Sequence, residues 1–173
     1  MSAQVQELLD REAIRDCLYR YCRGIDRAEE AALRSAYWPD GTDDHGPYKG
    51  SASGFVDWAM QTLPTIEQSV HQIHNVLITF REGGAAVESY FTALQRQPGR
   101  GGAVVNLQME GRYLDWFEKR GDEWRILNRT VVFDWIQEQA GPAPGKSAGR
   151  GPVSGRWPDD PVYQLVCQTP PLV

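Results

Sequence analysis

The chain is poor in the residues that most often build metal sites and disulfide scaffolds. Its 173 residues include three cysteines and three histidines. An odd cysteine count at this length argues against a disulfide framework and for a reducing compartment. Any metal site or imidazole base must draw on His45, His71 and His74. Basic residues are also scarce: Lys+Arg 18 against Asp+Glu 23 gives a formal net charge of −5. That leaves no cationic excess to neutralise phosphates, so nucleic acid is not an expected partner. No apolar run approaches the roughly 20 residues of a membrane span. Met1-Ser2-Ala3-Gln4 leads straight into a charged amphipathic stretch, without the apolar centre of a signal segment. A soluble, cytoplasmic protein with no membrane partner is expected. The Gly-x-Ser-x-Gly elbow, the phosphate loop and the dinucleotide fingerprint are missing too, which leaves chemistry without a cofactor, or none. What is present is ordinary: 41% hydrophobic and 24% charged residues, enough for one packed domain.

The hydrophobic period divides the chain. Leu8, Leu9, Ile14, Leu18, Tyr21, Cys22 and Ile25 recur at helical steps and predict a helix over 4–25, with Gly24 weakening its end. Asp26-x-x-Glu29 reads as a capping box for a second helix over 28–37. Pro39-Asp40-Gly41 breaks the chain before a short strand at 42–46. Ser51 or Ser53 caps a third helix, which Pro64 stops. Thereafter the period is two. Strands are predicted over 70–81, 85–97, 103–118 and 123–137, separated by Gly-rich turns. Short gaps favour antiparallel pairing. The expected fold is α+β: N-terminal helices packed on a long curved antiparallel sheet, a cone-shaped barrel enclosing a cavity. The cone is assigned to residues 1–138. Residues 139–173, Gly/Pro-rich over 141–161, are assigned to a tail rather than a second domain. The stretch 161–166 reads as a short strand or an anchoring segment.

Few residues carry chemistry by pattern alone. In a strand, His71 and His74 are an odd three apart and face opposite sides. Only one of them can enter a shared cavity, and a joint metal site is not expected. His71 shares its face with Ile73 and Asn75. Either histidine is otherwise a hydrogen-bonded core or surface group. Tyr21 and Asp26 are about 140° apart on an ideal helix, and read alone they are a core aromatic and a helix cap. Asp43, Asp44 and His45 admit a carboxylate–imidazole pair or a solvated loop. Arg129 stands in phase with Leu127, Val131 and Phe133, either gripping a polar substrate oxygen or snorkelling to an edge. Tryptophans and tyrosines supply aromatic lining. Trp38, His45, Tyr48, Asn75, Arg129 and Phe133 are the expected substrate contacts.

Several segments together resemble a family: Ala13-Ile14-Arg15-Asp16, Tyr19 to Asp26, Tyr37-Trp38-Pro39-Asp40-Gly41, Asp44-His45-Gly46 and Val70-His71-Gln72-Ile73-His74-Asn75. The pattern resembles the SnoaL-like branch of the nuclear transport factor 2-like superfamily over about residues 5–138. Within that branch it is similar to scytalone dehydratase, bile-acid 7α-dehydratase and hexachlorocyclohexane dehydrochlorinase, which perform cofactor-free eliminations. The resemblance implies His71 as general base, Asp26 as the group that orients and charges it, and Tyr21 as hydrogen-bond donor to the departing oxygen. The second histidine of the bile-acid enzyme falls on His74, and its later-strand acid falls on Ala93. The implied reaction is a dehydration or related elimination, with C–C cleavage as a possible sequel, on a small aromatic or alicyclic substrate. A homodimer or homotrimer is implied as well. The same superfamily holds small subunits of ring-hydroxylating oxygenases and ligand-binding or isomerase members, which are the alternatives.

Overall fold

The computed structural model describes residues 2–99, 102–140, 151 and 153–167. Helix α1 (Ala3–Arg27) is followed by α2 (Glu30–Ser35), β1 (Tyr37–Asp44), β2 (Lys49–Ser51) and α3 (Ala52–Thr62). A 3-10 turn at Leu63–Thr65 leads to the long strands β3 (Gln68–Arg81), β4 (Gly84–Pro98), β5 (Val104–Arg120) and β6 (Glu123–Ala140). Helix α4 (Pro161–Cys167) ends the described chain. Of the predicted Gly/Pro-rich stretch, residues 141–150 and 152 lie outside the described residues.

The six strands form one open sheet in the order β2-β1-β6-β5-β4-β3. The long strands are antiparallel as expected, but β1 runs parallel to β6. The sheet is therefore mixed, and it does not close. Helix α3 and four strands intervene between β1 and β6, so that pairing is non-local and leaves no hairpin signal in the sequence. Burial alternates as the pleat requires: Ala85, Val87, Ser89, Phe91 and Ala93 of β4 are buried on one face. Ile14, Leu18, Tyr21, Cys22 and Ile25 of α1 belong to the same core. The opposite sheet face carries exposed Leu77, Tyr90, Leu94 and Leu114.

Helix α1 does not end at Gly24. A Cβ there would stand 2.6 Å from the backbone nitrogen of Leu33, so glycine is what lets α2 pack against α1. The helix runs on to Arg27. Ala28 closes it in the left-handed region (φ 50°), and the N–H of Glu29 reaches the Gly24 carbonyl. The predicted capping box is corrected by this. Asp26 lies inside the last turn of α1, and Glu29 occupies the N-cap of α2 without a side-chain cap bond. The Glu29 carboxylate accepts instead from Arg23 and from the Tyr163 hydroxyl. The predicted cap at Ser51 is observed.

The segment before and within α4 binds the end of α1. The Trp157 N–H donates to the Arg27 carbonyl, and Asp160 pairs with Arg27. The 161–166 stretch is thus an anchoring segment, helical rather than extended.

Candidate active site

A cavity of about 240 Å³ lies between α1, α3 and the inner face of β3–β6. Its lining is mostly aromatic and aliphatic, including Phe55, Trp58, Phe91, Met109, Tyr113 and Phe133. Polar side chains reach it as well, among them His71, His45 and Tyr21. An apolar chamber with a few convergent polar groups is the usual form of a small-molecule site.

His71 is fixed by Asp26. Its Nδ1 lies 2.6 Å from Asp26 Oδ1, and its backbone N–H donates to Oδ2 at 2.8 Å. The Ser69 hydroxyl donates to Oδ1 at 2.9 Å. Burial alone would push the Asp26 carboxyl up. The hydrogen bond and charge of His71, the backbone N–H and Ser69 outweigh it and hold the carboxyl below its ordinary value. An ionised Asp26 accepts from Nδ1–H, so the neutral ring carries its proton there and leaves Nε2 as a base. A carboxylate near a helix C-terminus opposes the helix dipole, and a cation answers it. Arg156 donates to the carbonyls of Asp26 (3.4 Å), Leu63 (3.1 Å) and Ile66 (2.6 Å). One guanidinium therefore ties the end of α1 to the lip of the cavity.

His45 is held in the same way from the opposite edge. Its Nδ1 lies 2.8 Å from Asp43 Oδ1, and its ring stacks on Phe55 at 4.6 Å. Asp43 is only 1% exposed and also accepts from the Tyr37 hydroxyl at 2.6 Å. His45 Nε2 is 3.4 Å from the Tyr21 hydroxyl. Burial raises the Tyr21 hydroxyl far above its ordinary value, with Arg129 pulling it the other way, so Tyr21 is a neutral hydrogen-bond donor.

Register places Asp43, Arg129 and Asp115 in one row across β1, β6 and β5. Arg129 makes two 2.7 Å bonds to Asp115, and both side chains are fully buried. Its guanidinium lies between the rings of Tyr21 and Tyr113, 4.1 and 4.0 Å from their centroids. Neighbouring carboxylate charge holds it protonated against the cost of burial.

The expected residues divide accordingly. His71, Tyr21, His45 and Phe133 line the cavity, and Asp26 sits directly behind His71. Four others do not line it. Trp38 gives its indole N–H to the Glu118 carbonyl, with Arg120 and Arg125 over its ring, in a separate depression. Tyr48 bonds the Ser51 carbonyl and buttresses Phe55 and Trp58 from behind. Asn75 is exposed, because the pairing of β3 with β4 slips between Ile73 and Val76. Arg129 is consumed by Asp115 beneath the tyrosines. His74 is exposed on the far side and bonds Thr92. Ala93 pairs with His71 in register and lines the cavity without an acid. Ser69, Tyr37 and Arg156 were not foreseen. Ser69 shares the strand face of His71, a period-two signal, whereas Arg156 left none.

Among the described residues no group of three His, Cys, Asp or Glu is arranged to hold a metal ion. None of the described helices is long and apolar enough to cross a membrane. Cys17 and Cys22 are buried, and burial pushes their thiols up to about 11 and about 12, which makes them poor nucleophiles.

Residues 6–130 match the family of the SnoaL-like domain. No curated protein sequence matches the chain. Among solved structures, a hexachlorocyclohexane dehydrochlorinase, LinA type 2, is similar at a TM-score of 0.72 and 22% identity, over 83% of this chain and 99% of the other. A scytalone dehydratase candidate from Novosphingobium aromaticivorans has a TM-score of 0.69 and 18% identity, over 86% and 99%. The β subunit of a candidate aromatic-ring-hydroxylating dioxygenase from that species has a TM-score of 0.58 and 16% identity, over 76% and 93%. At these identities the likeness establishes the fold.

Proposed function

Since the chain belongs to the SnoaL-like domain family, we propose that it is a cofactor-independent lyase, removing the elements of H–X from a small aromatic or alicyclic compound. The observation that carries this is the 2.6 Å contact between His71 Nδ1 and Asp26 beside an aromatic chamber. In this reading His71 Nε2 takes a proton from carbon, and the C–H electrons form the new double bond as the neighbouring bond to the leaving group breaks. Asp26 keeps the ring in the Nδ1–H tautomer and stabilises the imidazolium that forms. General base catalysis of this kind is worth about 10²–10⁴-fold, and the fixed dipoles and dry walls of the cavity supply further stabilisation. Tyr21 assists the leaving group. Phe133 and Phe91, edge to face at 6.1 Å, offer a wall for a flat ring.

The dehydrochlorinase and dehydratase neighbours support this reading, and the oxygenase subunit neighbour supports a non-catalytic one. The dyad favours catalysis, because a scaffold subunit has no use for an oriented imidazole open to a cavity. The exposed apolar residues on the outer sheet face suit a homodimer or homotrimer.

The test uses 4-(4-nitrophenoxy)butan-2-one, whose elimination releases coloured nitrophenolate. His71→Ala and Asp26→Asn should each lower kcat/KM by about 10²-fold or more. Unchanged turnover in both variants would contradict the proposal, as would no release by the wild type.

A further inference from the structure

We propose that His45, held by Asp43 and coupled to Tyr21, is a second catalytic group: the general acid that protonates a departing oxygen. This rests on the elimination reading above and narrows its substrate class. Chloride leaves without a proton, whereas hydroxide or alkoxide does not. A site with a built acid opposite its base is suited to C–O cleavage in β-hydroxy or β-alkoxy carbonyl compounds and their aryl analogues.

Charge supports the division of labour. Asp43 and Asp115 flank Arg129 in one strand row, and all three are almost wholly buried. Two carboxyl groups share one guanidinium there, burial pushes the Asp115 carboxyl up, and a buried unpaired charge is costly. His45 meets Asp43 through Nδ1 at 2.8 Å. On the other side of the cavity, Asp26 has three hydrogen-bond donors besides a guanidinium at its own carbonyl. His71 and His45 thus meet unlike charge surroundings across one cavity.

Geometry supplies the route. Asp43 accepts from the Tyr37 hydroxyl and from His45 Nδ1, which leaves Nε2 facing Tyr21. When His45 is protonated, Nε2–H donates to the Tyr21 oxygen and frees the Tyr21 O–H for the cavity. In the reaction, His71 takes the proton from carbon, C=C forms and C–O breaks. The departing oxygen takes the Tyr21 proton, and Tyr21 takes one from His45. The products are the alkene and water or an alcohol. The enzyme ends with His71 protonated and His45 neutral, and exchange with solvent restores both.

A leaving-group series tests this: 4-aryloxybutan-2-ones bearing nitro, chloro, unsubstituted and methoxy phenols of rising pKa. Wild-type kcat/KM should fall only shallowly along the series. His45→Gln should cost severalfold at the nitro end, rising to about 10²–10⁴-fold at the methoxy end. Tyr21→Phe should steepen the dependence in the same way, and the double variant should be little worse than either single one. Asp43→Asn provides a second variant that keeps the ring. A uniform loss across the series in His45→Gln and Asp43→Asn would overturn the assignment, since a merely structural role lowers all members alike. If His71→Ala leaves turnover unchanged, the base reading fails. If His71→Ala abolishes turnover while the His45→Gln slope stays that of the wild type, only the acid assignment fails.

Discussion

His71 and His45 each give Nδ1 to an aspartate, at 2.6 and 2.8 Å, from opposite edges of one cavity. Their surroundings differ in charge. Asp26 stands at the end of a helix with Ser69, a backbone N–H and the nearby Arg156 guanidinium to support it. Asp43 is sealed inside the sheet beside an Arg129 already committed to Asp115. The same two residue types thus stand in unlike charge surroundings. On the proposed reading, what distinguishes base from acid is the neighbouring charge rather than the dyad itself.

The comparison breaks most sharply at His71. His71→Ala should cost about 10²–10⁴-fold in kcat/KM with every leaving group, in contrast to the graded loss at His45, as steady-state kinetics would read. Asp26→Asn should approach the same loss by disturbing the tautomer, and combined with His71→Ala it should add little. Asp26 also gives a pH signature. Its carboxyl is lower in the folded protein than in the unfolded chain. Its contribution to stability is therefore present above its unfolded value of about 3.9 and is lost as pH falls through the folded value. Acid titration of unfolding should show this component in the wild type and lack it in Asp26→Asn.

Arg129 tests the other wall. Arg129→Met leaves Asp115 and Asp43 buried without their cation and should destabilise the protein by about 3–5 kcal/mol in denaturant unfolding. A double Arg129→Met, Asp115→Leu replacement should recover much of that loss. The smallest effect is expected at Arg156, whose removal leaves carbonyls of α1 and the cavity lip without their donor. Arg156→Ala should cost about 1–2 kcal/mol, and hydrogen exchange should rise in the last turn of α1 rather than in β1.

Much of this architecture was legible in local pattern. The period-two alternation in β4 and β5 and the opposite facing of His71 and His74 follow from strand geometry alone. The Asp26–His71 pair was not. The two residues are 45 apart, and only family resemblance joined them. The capping-box reading of Asp26 failed because Gly24, which looked like a helix breaker, serves the close approach of Leu33. Arg129 stood on an apolar face with its partner on the next strand, and a single strand's pattern does not say which polar group lies opposite. Trp38 and Asn75 were misplaced for a related reason: a register shift re-aims every side chain near it, and both lie beside one. Asp43–His45 was visible as an i, i+2 pair, but its burial depends on a parallel pairing between β1 and β6 that no local signal announces.

The central claim is that Asp26 keeps the His71 proton on Nδ1 and leaves Nε2 as the base. Histidine ¹⁵N NMR of the resting protein, with His71 assigned by its loss in His71→Ala, reads the tautomer directly. A neutral His71 ring protonated at Nδ1 and bare at Nε2 is the predicted result. A ring protonated at Nε2 would have no lone pair to offer the substrate and would contradict the account.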